Sequence, residues 1–466
     1  MAAMCAQATN AKLTSGPIGA TLVRLSAPML IGILAMMAFN VIDTYFVGRL
    51  GTMPLAAMTL TFPVVMVIGT FTLGLGVGAM VAISQGIGAG DQTRIRRYST
   101  DALTLAGVCV AVLTTVGLAT LEPLFRLLGA TDAMMPFVEQ YMVIWYPGML
   151  CYIIPIVGNN VIRATGDTLT PSIVMIVGVA INAVLDPLLI FGWGPFPALG
   201  VAGAAIATVI ARGITMVVVL WVLCFRDRLL GSLWPGYHDL LASWKTILRT
   251  GLPVAVSNAI IPVALGLITR IVTGFGAEVV AGFGVATRVE GFGLALVYAL
   301  STGLSPFVGQ NFGAGRIDRI QKGLFLSKMF CLAWGVLLLV VFLLLGKALA
   351  ARFDSNPAVV RAASLYLWIV SISLGLRAVH HIIWTALNVL GRPYDALFLE
   401  FLLAFGLWIP LAFIGSRLAE IGGLFGGLSL ANVVGGVAAY IWVDRVVEKE
   451  RRRQEMLSSD DAQDSK

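Results

Sequence analysis

The sequence predicts an all-α integral membrane protein, with twelve transmembrane helices in two pseudo-symmetric six-helix lobes, and three observations carry that prediction. Of its 466 residues 58% are hydrophobic and only 12% charged, with a mean hydropathy of +0.92, whereas an ordinary soluble domain is about 25% charged. Apolar runs of about 20 residues or more recur along the chain, each long enough to cross a ~30 Å hydrocarbon core as a helix. The third observation is an internal duplication. Arg24 and Arg249, Pro28 and Pro253, Gly51 and Gly276, Gln85 and Gln310, Tyr141 and Tyr366, and Gly166 and Gly391 all stand 225 residues apart. A solenoid is excluded, because its units run to roughly 20–50 residues; two duplicated lobes of membrane helices fit.

The apolar runs fall near 22–47, 56–83, 99–121, 136–161, 170–191 and 200–224, then near 247–272, 279–307, 323–345, 361–387, 395–416 and 422–443. Residues 1–20 form a polar N-terminal segment. They carry no apolar stretch ending in a small-residue cleavage site, so the first run reads as a retained helix rather than a signal peptide. Residues 21–224 make the N-terminal lobe and 247–443 the C-terminal lobe. Between them, 225–246 reads as an amphipathic linker at the membrane surface, with Trp234, Tyr237 and Trp244 set among charged residues. The charged tail 444–466 is expected to be disordered.

Lys and Arg favour the side of the N-terminus by roughly three to one, which puts both termini in the cytoplasm of a bacterial inner membrane. The net charge of +7 therefore reflects topology and lipid headgroups. Nucleic acid is excluded as a partner, since no basic patch is interleaved with exposed stacking aromatics. The five cysteines are scattered, with no CxxC pair, and read as small buried hydrophobes.

An ionisable side chain inside a bilayer is costly, so each is a functional candidate. Asp43 stands near the outer end of helix 1 in AFNVIDTYFVG, sharing a face with Met36 and Asn40. At the same depth in helix 5, Asp186 follows Asn182 by one turn, and Pro187 loosens the local backbone ladder. Two carboxylates and an amide make an oxygen-rich site that can hold Na⁺ or share protons. Pro28 lies about four turns before Asp43 and is either a static kink or a hinge. Tyr141, Asn159 and Asn160 can present hydrogen bonds to a cavity or serve as interhelical contacts. Arg288 and Glu290 line or brace the second lobe. His380 and His381 are adjacent, hence about 100° apart on a helix, and do not form a paired ligand set. No phosphate-binding loop, GxSxG elbow or kinase motif is present, so the chain reads as no enzyme and carries no ATPase of its own.

The turns SQGIGAGDQTRIRR (84–97) and GQNFGAGRIDRIQK (309–322), the segments VATRVEGF and NVIDTYFVGRLG, and RATGDTLTPSI and INAVLDPLLIFGWG resemble the multidrug and toxic compound extrusion (MATE) family over roughly residues 18–445. Within it the chain resembles the branch of the DNA-damage-inducible protein F, whose key acids lie in the N-terminal lobe. The resemblance implies secondary active efflux of organic cations or other toxic small molecules. It implies coupling to H⁺ or Na⁺ entry by alternating access, no cofactor, and a monomer among membrane lipids. Asp43, Asn182 and Asp186 match the family's ion-site positions, with Thr208 as the fourth member. Pro28 matches the position where helix 1 bends, and Tyr141 and Asn160 the drug-lining positions. Helices 7 and 10 lack the acids other branches use for Na⁺. A lipid or lipid-precursor flippase of the same superfamily is the alternative, and it would want a more cationic cleft.

Overall fold

The protein is described from a computed structural model, which covers residues 11–193, 196–231 and 236–464, without the side chains of 40, 41, 43, 44 and 453–464. Its described elements are helical, as a chain in hydrocarbon requires, since a helix satisfies its backbone polar groups within one segment. We number the helices α1 (Ile18–Gly48), α2 (Thr52–Ala89), α3 (Gln92–Ala119), α4 (Leu121–Leu127), α5 (Met135–Ala164), α6 (Leu169–Phe191) and α7 (Gly200–Trp221). The second half holds α8 (Tyr237–Val272), α9 (Ala277–Gly313), α10 (Ile317–Phe353), α11 (Pro357–Val370), α12 (Leu374–Val389), α13 (Pro393–Phe401) and α14 (Ile409–Asp464).

Eleven of the resulting segments are long and apolar enough to span a membrane. The last of them, Pro393–Arg452, is two spans in one. Ala419 and Glu420 leave helical geometry, Glu420 with φ +50°, which restores the expected twelve. The α11–α12 pair crosses as one span through a 3₁₀ turn at Ser371–Ser373. The tail differs from the disorder expected of it, because α14 runs on to Asp464. Arg451 and Arg452 both reach Glu448, at 3.0 and 3.1 Å, the i,i+3 and i,i+4 pairs that support an exposed helix.

The duplication is visible in the backbone. Shifted by 225, the start of α2 at Thr52 falls on the start of α9 at Ala277, and that of α3 at Gln92 on that of α10 at Ile317. Gly51 and Gly276, the residues before α2 and α9, take φ of 116° and 105°, a region open to glycine and costly for side chains with Cβ. Gly166 and Gly391 end the matched helices at φ 90° and 75°. Each of the turns that follow is held by an i,i+3 side-chain contact at matched positions, Asp167 with Thr170 and Arg392 with Asp395. Arg226 bonds Asp167 (2.7 Å), whose carboxylate also receives the Thr170 amide and hydroxyl (3.0 and 2.6 Å). Residues 225 further on, Arg392 bonds Asp395 at 3.0 Å.

The chain forms two compact units. One holds residues 28–255; the other holds 12–27 with 256–466. In the first, α5 is the spine, with Met142, Tyr146, Met149 and Ile153 buried along it. Small residues allow its neighbours to close in, as is usual between membrane helices: Gly117 of α3 lies against Tyr146, and Gly148 and Gly158 lie against Val209 and Val219 of α7. In the second unit α12 has that role, with Gly375 against Gly335 of α10 and Leu376 against Gly436 of α14. The N-terminal segment is tied to this unit. Arg319 donates to the carbonyls of Ser15 and Gly16 (3.1 and 3.0 Å), and Gln310 accepts from the Leu13 amide at 3.2 Å. The linker is tied to α3: Arg97 pairs with Asp239 at 3.1 Å, and Trp244 Nε1 donates to the Asp101 carbonyl at 3.1 Å.

Two expectations follow. A Cβ at Gly335 meets the Gly375 backbone, whereas one at Gly107 of α3 meets nothing within 4 Å. Gly335→Ala is therefore expected to cost about 1–3 kcal/mol, and Gly107→Ala to be neutral or better, as read by thermal unfolding in detergent. Burial pushes the Asp167 carboxyl up, but Thr170 and Arg226 together more than offset this and hold it below its ordinary value. A depressed carboxyl contributes stability above its unfolded value, about pH 3.9, and loses that contribution as pH falls through the folded value. The difference in melting temperature between wild type and Asp167→Asn is expected to be full at neutral pH and to shrink below about pH 4.

Candidate functional site

In the first unit three helices meet in register. Val47 of α1, Ile190 of α6 and Ala204 of α7, each 1% exposed, form one packed cluster. Stepping one turn from each along the same helix face reaches position 43 on α1, Asp186 on α6 and Thr208 on α7. A second turn reaches Phe39, Asn182 and Arg212. The apolar cluster is thus followed by an acidic layer and then by a layer holding a guanidinium.

Asp186 is fully buried and Asn182 is 1% exposed. The Asn182 amide donates to Asp186 Oδ1 at 3.2 Å and, more loosely, to Thr208 Oγ1 at 3.4 Å. Its own Oδ1 is buried and accepts no hydrogen bond among the described residues. Three of the four residues expected for the ion site are therefore together. The side chain of the fourth, Asp43, lies outside the described residues, although its backbone belongs to α1. Beside them is a void of about 10 Å³ lined by Phe39, Asn182, Thr208 and Arg212, the size of one water.

Tyr141 lies on α5 at 8% exposure, near enough to Arg212 for its phenol to act on the guanidinium. Asn160 is 2% exposed; its amide bonds the Ile156 carbonyl at 2.8 Å and its oxygen receives Arg163. The buried Oδ1 of neighbouring Asn159 accepts no hydrogen bond among the described residues. Pro28 lies within the continuous helix α1, and the division between the two compact units falls between Ala27 and Pro28.

Sequence reasoning missed Arg212. Its Cζ stands 5.6 Å from the Phe39 ring centre and 5.4 Å from that of Tyr152. The signal was present as an ionisable residue inside the run 200–224.

The second unit contains a cavity of about 360 Å³, lined by Asn258, Tyr298, Arg377, His381, Trp384 and Glu400 among others. Arg377 of α12, on its wall, pairs with Glu290 of α9, which also accepts from the Tyr366 hydroxyl at 2.6 Å. Arg377 lies 5.1 Å from the Trp408 ring centre. Trp408 Nε1 donates to Asn432 at 2.9 Å, which in turn donates to Ser373 at 3.0 Å. His380 Nδ1 is 3.8 Å from Glu400, while His381 stacks on Trp384 at 5.5 Å, so the adjacent histidines face different partners. Arg288 is exposed and Glu290 buried. The C-terminal lobe thus has buried acids, but on α9 and α13 rather than on the seventh and tenth spans, α8 and α11–α12. No local spacing announces the Glu290–Arg377 pair, since its members are 87 residues apart.

Comparison with known proteins agrees with this architecture. The MatE family model matches residues 28–188 and 253–414, two blocks whose starts differ by the same 225. The FAD transporter of Shewanella oneidensis is 36% identical over 436 residues, covering 94% of this chain and 96% of that protein. The probable multidrug resistance protein NorM of Thermotoga maritima is 26% identical, over 86% of each chain. The crystal structure of the Vibrio cholerae MATE transporter VcmN in the bent form superposes with a TM-score of 0.88 at 30% identity, covering 94% of this chain and 98% of that one. With its two MatE repeats, its twelve spans and these relatives along nearly its whole length, the chain belongs to the MATE family of multi-pass membrane transporters.

Proposed function

We propose that this protein is a secondary active exporter of organic cations or other toxic small molecules, exchanging them for H⁺ or Na⁺ across a bacterial inner membrane with both termini in the cytoplasm. The observation that carries the reading is the buried Asn182–Asp186–Thr208 cluster, with Asn182 bonded to both partners. A carboxylate at that depth is retained only if it is paired or binds a charge. Protons or Na⁺ entering from outside neutralise Asp186, together with Asp43, and lower the affinity of the lobe for its cargo. Inward-facing and outward-facing states then alternate by rocking of the repeats. Pro28 is the bending point of α1 in this scheme. It removes one helix hydrogen bond, and residues before it are anchored to Gln310 and Arg319. Each elementary charge moved inward supplies about 2.3 kcal/mol per 100 mV.

Two cargo classes are supported by relatives. The multidrug resistance and export proteins support drugs, of which organic cations are the class expected from the sequence, and the 36%-identical FAD transporter supports FAD. Uptake of ethidium and of FAD into everted vesicles, with pH and Na⁺ gradients imposed separately, distinguishes the cargoes and the coupling ion. Asp186→Asn is expected to reduce gradient-driven efflux at least tenfold at normal membrane expression, with Asp186→Glu partly active. Undiminished efflux in the Asn variant would contradict the assignment. Glu290→Gln is expected to act on stability instead: it leaves Arg377 buried without its acid, at a cost of about 3–5 kcal/mol, read as a lower melting temperature with coupling unchanged in the folded fraction.

A further inference from the structure

Arg212 raises a question that cation exchange does not answer. It is twelve residues after Gly200, the first residue of α7, or about 18 Å along the helix at 1.5 Å per residue. That is near the middle of a ~30 Å hydrocarbon core, where an unneutralised guanidinium is expensive.

The two repeats solve the same problem differently. Tyr141 and Tyr366 are equivalent under the 225 shift, and each lies beside a half-buried arginine: Arg212 in the first unit and Arg377 in the second. Arg377 is neutralised by Glu290. Arg212 makes no ion pair and no side-chain hydrogen bond with any described residue; its partners are the faces of Phe39 and Tyr152. Two rings fix the plane of a guanidinium, and a ring face takes up none of its five N–H donors. Arg212 also sits one turn to the cytoplasmic side of the Asp186 layer, on the wall of the same small void.

We propose that Arg212 is the anion-binding residue of the transport pathway, and that it takes the phosphate of an aromatic solute through the paired donors of its guanidinium. The proposal rests on the exporter reading and names its cargo as a phosphorylated aromatic, with flavin nucleotides the first candidates. The planar fork matches two phosphate oxygens, which a lysine cannot do. A phospholipid headgroup offers the same phosphate, so the test contains an arm for each source.

Binding is measured with purified protein in nanodiscs, by quenching of flavin fluorescence, for flavin mononucleotide and for riboflavin, which shares the ring and lacks the phosphate. Wild type is expected to prefer the phosphorylated flavin by about tenfold or more. Arg212→Gln is expected to bring the ratio close to one while riboflavin affinity stays the same, and Arg212→Lys to fall between. If the Gln variant does not fold, the Lys variant decides: a reduced ratio supports the proposal and an unchanged one overturns it. A wild type without preference for the phosphate, or a folded Gln variant that keeps it, also overturns it. In parallel, translocation of a fluorescent phosphatidylglycerol is followed in proteoliposomes; Arg212-dependent movement of the lipid with no flavin discrimination assigns the phosphate to a headgroup instead. Absence of efflux for every probe from a protein that still discriminates the flavins would sink the exporter reading and leave the site standing.

Discussion

A hydrocarbon layer about 30 Å thick gives the chain no water with which to satisfy a polar group. Every backbone amide and every ionised side chain inside it must find a partner in the protein. The all-helical fold follows from the first half of that constraint, and so do the glycine contacts that let helices such as α10 and α12 approach to backbone contact. The second half singles out a handful of residues. Asp186, Asn182, Arg212, Glu290, Arg377 and Glu400 are all costly where they stand, and each has been given a partner, a ring face or a cavity wall.

The duplication shows which of these arrangements is framework. Helix starts and turn glycines repeat at one offset. The charged interior does not repeat. Position 43 maps onto Ile268, which is fully buried, and Asp186 maps onto Leu411, so the second lobe has no copy of the acid layer. Its own pair, Glu290 with Arg377, is already neutral and hydrogen-bonded to Tyr366, as expected of a brace. In the first lobe the acid and the guanidinium lie on successive turns of the facing helices. On the reading proposed above, they would bind a cation and an anionic cargo by different groups on one wall.

Much of this was legible in the sequence, for identifiable reasons. Helix number and lobes follow from run length and from a repeat without gaps, and the Asn182–Asp186 contact follows from an i,i+4 spacing on one helix. What stayed hidden depends on chain segments far apart. Glu290 meets Arg377 across 87 residues and His380 meets Glu400 across helices α12 and α13, and neither distance leaves a periodic trace. Arg212 was readable as an intramembrane charge, but its role depends on Phe39 and Tyr152, which only packing brings to it. The break at Ala419 and Glu420 falls between two apolar runs that the sequence separates correctly. In the helical tail Glu448 pairs with both Arg451 and Arg452.

If coupling resides in the N-terminal lobe alone, cargo binding should exchange a cation there and nowhere else. Calorimetry of cargo binding in buffers of different ionisation enthalpy, repeated with and without Na⁺, measures that exchange directly. Wild type and a Glu400→Gln variant are expected to exchange the same number of H⁺ or Na⁺ ions, and a variant lacking the Asp186 carboxylate none from that group. Exchange that survives the loss of Asp186 and disappears with Glu400 would move the ion site to the C-terminal cavity and contradict the assignment.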